Sequence, residues 1–444
     1  MSTAHDPQRL DQQNSDRWRL RDVGRAYFIL CVCCAAGVGT LFVSLQFSVV
    51  GSGRFMSAYL VAFAFCLSLS LGALFFLITQ HLCRAGWSVL IRRPAEVFAA
   101  NLPVVALMFI PIASSVLSGQ GDLYSWARAD SRGSQTTVIR ASENSSATAG
   151  SETSHLQDAQ VALGPEKRAI LNPPFFIGRW FVFLALWSGM GVFYWWNSVC
   201  QDRDRDIMRT ARMERFAGPA ALLFGLSVTW AAFDLLMSLN PKWQSTMFGV
   251  YYFAGTVVGG LSLITLATIW LRGRGQLPMA VGTEHYLDLG RLMFGFVFFW
   301  GYIAFSQYML LWYANIPSEL TWLRDRGATT AVGESNDWSW LILFLLFGHL
   351  LIPFAGLMSR HIKKRPGLLV AWAVWLLVCH YLDLVWIVLP ELGPQFRLGL
   401  IELGIMLTLG SIFLITAVSL ASLNSLVPIG DPRISESLHH ESAY

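Results

Sequence analysis

The chain has 444 residues, of which 54% are hydrophobic and only 14% are charged, and its formal net charge is +4. A soluble protein of average composition carries about 25% charged residues, so this composition excludes an ordinary soluble domain. The small positive excess reflects a bias among loops and does not indicate a nucleic-acid partner.

Ten apolar runs reach or approach the roughly 20 residues that cross about 30 Å of hydrocarbon as an α-helix. Because lipid tolerates only helices and closed barrels, these runs predict an all-α polytopic membrane protein. The predicted helices lie near 26–48, 57–82, 95–118, 174–199, 217–240, 247–271, 285–313, 338–360, 368–390 and 395–421. They divide the chain into an N-terminal arm (1–25), a membrane domain (26–421) and a C-terminal tail (422–444).

Basic residues in the loops predict the orientation, because cytoplasmic loops carry an excess of Lys and Arg. One side of the predicted topology holds twenty such residues, while the other holds five in short loops and five in the long loop 119–173. Both termini are therefore predicted to be cytoplasmic. The Ser/Thr-rich centre of the long loop is predicted to be exposed and mobile on the outer side.

Three local features predict helix shape and surroundings. Pro103 and Pro111 in the third helix predict a kink. The charged run 201–215 predicts a solvated cytoplasmic loop between the fourth and fifth helices. Four aromatic residues of the seventh helix suit an interfacial or subunit-facing surface, namely Trp300, Tyr302, Trp312 and Tyr313.

The seven cysteines contain no CxxC pair, no haem-attachment motif and no iron–sulfur spacing. We therefore predict no metal ligands and no covalently bound cofactor in this chain. An electron acceptor of the iron–sulfur or c-haem type would have to come from another protein.

Ionisable residues inside the membrane are the main functional signal, because they are costly there and are usually paired, solvated or functional. Five helices carry polar residues at similar predicted depths in the outer half: Asp234, Gln307, His349, His380, Asp383 and Glu402. His380 and Asp383 are three residues apart and share a helix face, so the carboxylate can fix the histidine tautomer. This layer predicts proton handling or a site for a polar ligand such as a quinol head group, with a structural hydrogen-bond network as the alternative.

A smaller inner set consists of His81, His285, Asp288 and Arg291. For these residues the structural interpretation is favoured. Asp288 and Arg291 fit an ion pair, and the two histidines fit the headgroup region.

Several long motifs resemble one family. Residues 233–255, FDLLMSLNPKWQSTMFGVYYFAG, resemble the motif shared by the two large NrfD-like (polysulfide-reductase-type) membrane subunits of bacterial alternative complex III. Further stretches are similar to the smaller, ActF-type subunit, at 59–93, 172–180, 304–317, 347–354, 380–390 and 427–438. The resemblance covers about residues 25–438, apart from the long loop.

The resemblance implies a ten-helix fold built around two four-helix bundles in a bacterial cytoplasmic membrane. The complex in this family takes part in respiratory or photosynthetic electron transport: it oxidises quinol and passes electrons to cytochrome c or a terminal oxidase. The implied partners are a paralogous NrfD-like subunit, an iron–sulfur subunit and c-type cytochromes, within membrane lipid. This chain would carry no metal, would not be catalytic alone, and would contribute proton transfer and, by relationship, quinone binding.

Carried onto this chain, the implied proton relay consists of Asp234, His349, His380 and Asp383, which stand inside the family-like motifs. Glu402 joins this set on predicted depth alone. The relay predicts that Asp234→Asn slows turnover or lowers the protons moved per electron while leaving assembly intact.

Three other functions fit the same residues. A secondary transporter also uses ionisable groups near the midplane, and substrate uptake by vesicles would identify it. A haem b anchor would use His349 and His380 as axial ligands, and a b-type absorption band would identify it. A purely structural scaffold predicts that Asp234→Asn and His380→Ala leave quinol oxidation and proton pumping intact.

Overall fold

The computed structural model describes most of the chain, namely residues 18–20, 23–47, 52–119, 121–127, 165–329, 336–393, 395–396 and 398–441. These residues form helices and no strand, and ten helical segments among them are long and apolar enough to cross a membrane. Each segment corresponds to one predicted run, so the prediction of a polytopic all-α membrane protein is confirmed. The centre of the long loop and most of the N-terminal arm lie outside the described residues.

The helices are numbered here in chain order over the described ranges. They are α1 (Val23–Phe47), α2 (Ser52–Leu82), α3 (Val89–Ala100), α4 (Leu102–Met108), α5 (Ile110–Leu117), α6 (Pro165–Ile170), α7 (Pro173–Asp204), α8 (Ile207–Leu235), α9 (Phe248–Gly273), α10 (Thr283–Ala314), α11 (Pro317–Asp325), α12 (Ser339–Leu345), α13 (Ile352–Met358), α14 (Arg360–Lys364), α15 (Pro366–Val388), α16 (Leu400–Leu423) and α17 (Ile434–Leu438). A π-helical turn over Leu346–Leu351 joins α12 to α13.

Two four-helix bundles form the body of the protein. In the first, α2, the α3–α5 segment, α7 and α8 pack against one another, and in the second α9, α10, the α12–α13 segment and α15 do so. Helices α2 and α9 contact each other and join the bundles, while α1 and α16 pack as a pair beside α2. This arrangement agrees with the paired bundles that the resemblance implied.

The crossing of α2 and α9 depends on glycine at both positions. A side-chain carbon added at Gly260 would lie 2.6 Å from the Cα atom of Gly72, which is closer than real atoms approach. Small residues at such crossings let two helix backbones touch. The crossing holds the two bundles in close contact.

Proline interrupts the third span, as predicted. It is divided into α3, α4 and α5, with Pro103 and Pro111 in the first turns of α4 and α5. Proline suits these positions because a first-turn residue needs no N–H donor.

The π turn in the eighth span is explained by Pro353, which follows it. Its last bond runs from Ile352 N to Phe347 O, and the next donor in that pattern would be Pro353, which has no N–H. The carbonyl of Gly348 instead accepts from Trp375 Nε1 at 2.7 Å and from Cys379 Sγ at 3.4 Å, both on α15. Side chains of a neighbouring helix thus stabilise the irregular turn.

The prediction of a solvated loop over 201–215 was wrong. Helix α7 continues through Asp204 and α8 begins at Ile207, so only Arg205 and Asp206 separate them. Asp206 caps α8 by accepting from Met208 N at 2.9 Å. A helix need not end where its apolar run ends, because charged side chains beyond the hydrocarbon are satisfied by water and by one another.

Both described chain ends lie on one side of the bundles, which we call the terminal face; the other side is the opposite face. Leu426 N donates to Trp18 O at 2.8 Å, and the Tyr27 and Ser419 hydroxyls are 2.8 Å apart. The even number of spans agrees with this placement. The loop charges predict that the terminal face is cytoplasmic.

The C-terminal residues fold along the terminal face. Asp431 pairs with Arg92 of α3, and Arg433 pairs with Glu214 of α8. Asp202 at the end of α7 pairs with Arg93 and accepts from Gly430 N at 3.0 Å. The C-terminal segment therefore connects α3, α7 and α8.

Candidate functional site

Three of the five predicted relay residues meet inside the second bundle. Asp383 and His380 lie one turn apart on α15, and His349 lies in the π turn of the eighth span. All three side chains are at most 2% exposed. With the neighbours described below they form the His–Asp cluster, which we define as Ser68, Tyr251, Trp300, His349, His380 and Asp383.

The Asp383 carboxylate accepts hydrogen bonds from two other helices. The Tyr251 hydroxyl of α9 donates to Oδ1, and Trp300 Nε1 of α10 donates to Oδ2 at 3.3 Å. The Trp300 ring also lies on His349, with ring centroids 4.0 Å apart. Trp300 therefore links the carboxylate to the second histidine.

Ser68 on α2 contacts one ring nitrogen of His380. The Ser68 hydroxyl lies 2.7 Å from Phe65 O and 2.8 Å from His380 Nε2. When the hydroxyl donates to Phe65 O, it accepts from Nε2, which then carries the proton of the neutral ring. His380 Nδ1 is left with a free lone pair and has no hydrogen-bond partner among the described residues.

His380 packs directly against the α9 backbone at Gly255. A side-chain carbon added at Gly255 would lie 3.1 Å from His380 Nδ1 and 3.7 Å from Asp383 Oδ2. The unpartnered ring nitrogen and the carboxylate oxygen therefore both lie beside this glycine. A larger residue at position 255 would displace the ring.

His349 differs from a satisfied core histidine. It is fully buried, and neither ring nitrogen has a hydrogen-bond partner within the described ranges. It lies within electrostatic range of His380. π-helical turns of this kind occur frequently at functional sites.

Aromatic side chains fill the volume between the cluster and the opposite face. The Phe248 ring stacks on Tyr251 with centroids 6.3 Å apart, and Trp243 packs edge-on against Phe248. Trp243 in turn stacks on Trp322 at 4.0 Å, under the guanidinium of Arg326. These rings separate the cluster from the opposite face.

Asp234, a predicted relay residue, is not part of the cluster. It lies in the last turn of α8, and its carboxylate accepts from Arg179 Nε at 2.6 Å and Nη2 at 2.9 Å. The predicted depth was too great, because the α-helix ends at Leu235 and not near residue 240. A bidentate ion pair of this geometry is a sufficient structural reason for a buried carboxylate.

Glu402 also lies apart from the cluster. It is the third residue of α16, which begins at Leu400 and not near residue 395. Its carboxylate pairs with Arg54 at 3.0 and 3.2 Å and accepts from Gly399 N at 2.8 Å. A carboxylate in the first turn is favoured by the helix dipole, so Glu402 caps its own helix.

Gln307 is buried on α10, two turns beyond Trp300. Its Oε1 has no hydrogen-bond partner in the part of the chain that the structure describes. No hydrogen bond or ring contact described there joins it to the cluster.

The inner set lies under the C-terminal segment and outside the cluster. Asp288 and Arg291 form the predicted ion pair at 2.8 Å, and His440 also lies 2.6 Å from Asp288. The two histidines, predicted to lie at the depth of the headgroups, are both buried within the protein. His81 stacks on Tyr194 at 5.1 Å, and His285 lies 3.2 Å from the Ser437 hydroxyl of α17; neither contact is visible in the local sequence.

Three members of the cluster were not predicted from the sequence. Trp300 was expected on an outward surface but is only 4% exposed, whereas Tyr302, Trp312 and Tyr313 are exposed as expected. Tyr251 and Gly255 are four residues apart in the family-like motif and share one face of α9, which could have identified them. Ser68 gives no comparable signal, because α2 carries several buried serines.

The geometry argues against a haem between His349 and His380. His380 Nε2 is held by Ser68, and Nδ1 faces the α9 backbone at Gly255, so neither nitrogen has room for an iron with its porphyrin. Within the described ranges, no group of three or more His, Cys, Asp or Glu side chains is placed to hold a metal ion.

A scan of the sequence against protein-family models finds no match, and a search of curated proteins finds none.

Proposed function

We propose that this integral membrane protein is a subunit of a quinol:acceptor oxidoreductase of the alternative complex III type, in which the His–Asp cluster transfers protons. One observation carries the proposal: a carboxylate and two imidazoles meet in a buried site where three ring nitrogens have no partner among the described residues. The quinol oxidoreductase assignment comes from the sequence motifs.

Proton transfer suits this set of groups. A neutral imidazole can accept a proton at one nitrogen and release one from the other, and a carboxyl group can do both at its oxygens. Unpaired ionisable groups inside a membrane are costly, so their retention favours a working role over packing alone.

The route within the cluster follows from the hydrogen bonds. Asp383 Oδ2 and the unpartnered His380 Nδ1 both lie beside Gly255, which makes them the exchange partners in the proposed relay. Protonation of Nδ1 forms an imidazolium whose Nε2–H stays bound to Ser68, so the ring can hold the extra proton and return it at Nδ1. His349, on the far side of Trp300, provides a further acceptor.

A quinol head group does not fit the cluster as it stands. Tyr251 and Trp300 cover the Asp383 carboxylate, and both are at most 5% exposed. We therefore assign proton transfer to this chain. In the proposal, quinol oxidation belongs to partner subunits that carry iron–sulfur and haem centres.

The first test concerns assembly. The full chain, tagged and expressed in its own membrane, is expected to co-purify with an iron–sulfur subunit, c-type cytochromes and a second NrfD-like subunit. Purification without any electron-transfer subunit would reject the oxidoreductase assignment and leave the proton-transfer assignment to be tested by vesicle acidification.

The second test concerns the cluster. In proteoliposomes of the assembled complex, Asp383→Asn and Tyr251→Phe are expected to lower the protons moved per electron. Asp204→Asn is the matched control, because Asp204 is an exposed carboxylate on the terminal face. Equal proton stoichiometry for Asp383→Asn and the control, with intact assembly, would reject the relay.

A further inference from the structure

A buried lysine at the terminal face has no described partner of opposite charge. Lys363 on α14 is only 7% exposed, and no carboxylate of the described residues pairs with its ammonium group. The ammonium lies 5.3 Å from the centroid of the Phe294 ring. The next residue, Lys364, does have a partner, since it pairs with Glu284 at 2.7 Å.

A second cation lies nearby. Arg291 is within electrostatic range of Lys363, and burial together with the charge of Arg291 lowers the pKa of the Lys363 ammonium. Asp288 is the acidic group at this point, and it is shared between Arg291 and His440. The local charge is therefore positive, and an anion between Lys363 and Arg291 would relieve the repulsion.

An open groove runs from Lys363 and Arg291 along the membrane-spanning part of α10. Arg291, Phe294, Gly295 and Phe298 occupy one face of α10 at spacings of three and four residues. No atom lies within 4 Å of the place where a Gly295 side chain would be, and Phe298 is exposed. The groove is thus open on its outward side at the glycine.

Aromatic rings form one wall of this groove. Phe354 of α13 stacks on Phe294 at 5.1 Å and lies 5.9 Å from Phe298. The surface therefore combines two cations at its end with an apolar channel along its length.

The position of Lys363 is fixed by packing. A side-chain carbon added at Gly290 would lie 2.7 Å from Lys363 Cγ, so the lysine stem rests directly on the α10 backbone. By contrast, Arg360 and Arg365 on either side are exposed. Lys363 is therefore a preorganised cation, unlike the mobile charges that attract lipid headgroups generally.

We propose that this groove binds one anionic phospholipid, with its phosphate between Lys363 and Arg291 and an acyl chain along Gly295 beside the phenylalanine rings. Arginine and lysine are the usual phosphate ligands, and basic pockets between transmembrane helices at the cytoplasmic side bind anionic headgroups. The apolar channel favours a lipid over a free phosphate ion.

The test uses the purified full chain in detergent and follows lipid retention by native mass spectrometry. Phosphatidylglycerol is expected to be retained in preference to phosphatidylcholine. Lys363→Gln should weaken phosphatidylglycerol binding by about fivefold, the effect of removing one cation near an anionic headgroup. The matched control Arg365→Gln removes an exposed cation and should change binding by less than about twofold.

A second variant separates the two halves of the site. Gly295→Leu fills the channel without changing a charge, so it should weaken phosphatidylglycerol binding while leaving the chain monodisperse on size-exclusion chromatography. Equal effects of Lys363→Gln and Arg365→Gln would show diffuse attraction and overturn the proposal. Equal thermal stabilisation by inorganic phosphate and by phosphatidylglycerol, or no effect of Gly295→Leu, would overturn the lipid assignment.

Discussion

Individual side chains decide which buried acids are available for proton exchange. Among the described residues, Asp383 is bound only by neutral donors, the Tyr251 hydroxyl and the Trp300 indole. Asp234 and Glu402 are instead paired with the guanidinium groups of Arg179 and Arg54. These two carboxylates thus each have a counter-ion, whereas the donors that bind Asp383 carry no charge.

The sequence predicted the shared face of His380 and Asp383 because their spacing is local. It did not predict the arginine partners, because Arg179 lies 55 positions from Asp234 and Arg54 lies 348 positions from Glu402. Hydropathy predicts that a charged residue is buried, but it does not identify the residue that pairs with it.

Gly255→Ala tests the positions of His380 and Asp383 without removing any ionisable group. The added methyl group would lie 3.1 Å from His380 Nδ1 and would displace the ring, so the protons moved per electron should fall in the assembled complex. Gly273→Ala on the same helix is the control, because no atom lies within 4 Å of its added carbon. Unchanged stoichiometry for Gly255→Ala would contradict a relay through His380 and Asp383.

Asp234→Asn is now expected to affect stability and not proton transfer. It leaves Arg179 without its charged acceptor, and losing a hydrogen bond to a charged group costs about 2 kcal/mol. The melting temperature in detergent should fall, and adding Arg179→Gln should recover part of the loss. A normal melting temperature with fewer protons per electron would instead support the relay role predicted from the sequence.

The irregular eighth span shows how one helix depends on another. The π turn leaves the Gly348 carbonyl without a backbone donor, and Trp375 and Cys379 of α15 supply donors in its place. The sequence contains Pro353, yet the turn could not be predicted, because its stabilising donors lie on a different span.

The ten spans themselves were predictable from apolar length, and the errors arose where polar helix ends continue beyond the apolar run, as at 201–215.

Trp375→Phe should destabilise the π turn by about 1 kcal/mol, the contribution of one neutral hydrogen bond. Combining it with Pro353→Ala should restore stability, because the alanine N–H can donate to the Gly348 carbonyl in the same i→i−5 pattern. Trp340→Phe is the control, since Trp340 is 78% exposed on the same span. Equal melting temperatures for Trp375→Phe and the control would show that the indole bond does not stabilise the turn.

For the whole molecule, charges buried at the terminal face connect segments that are far apart in sequence. Glu96 lies between Arg92 and Arg93, at 3.1 and 3.0 Å, and each arginine has a second acid in Asp431 or Asp202. The C-terminal residues were predicted from the sequence to be a polar tail. Their partners are charged residues at helix ends, and such residues are expected in solvent. Their contacts belong to the assembled bundle and not to any local pattern.

Asp431→Ala should lower the stability of the folded chain by about 3 kcal/mol, because it leaves the buried Arg92 with Glu96 alone. The exposed acid Glu441 provides the control, and Glu441→Ala should leave the melting temperature unchanged. If both variants have the melting temperature of the wild type, the C-terminal segment does not stabilise the first bundle.

The ion pairs of the C-terminal segment also affect the order in which parts of the protein fold during synthesis. Arg92 leaves the ribosome 339 residues before its partner Asp431, so this ion pair can form only after all the spans between them have been synthesised. Insertion of the spans and docking of the C-terminal segment are therefore separate events. A chain ending at residue 423 should insert normally yet be cleared rapidly by membrane quality-control proteases, which pulse-chase labelling beside the full-length protein would reveal.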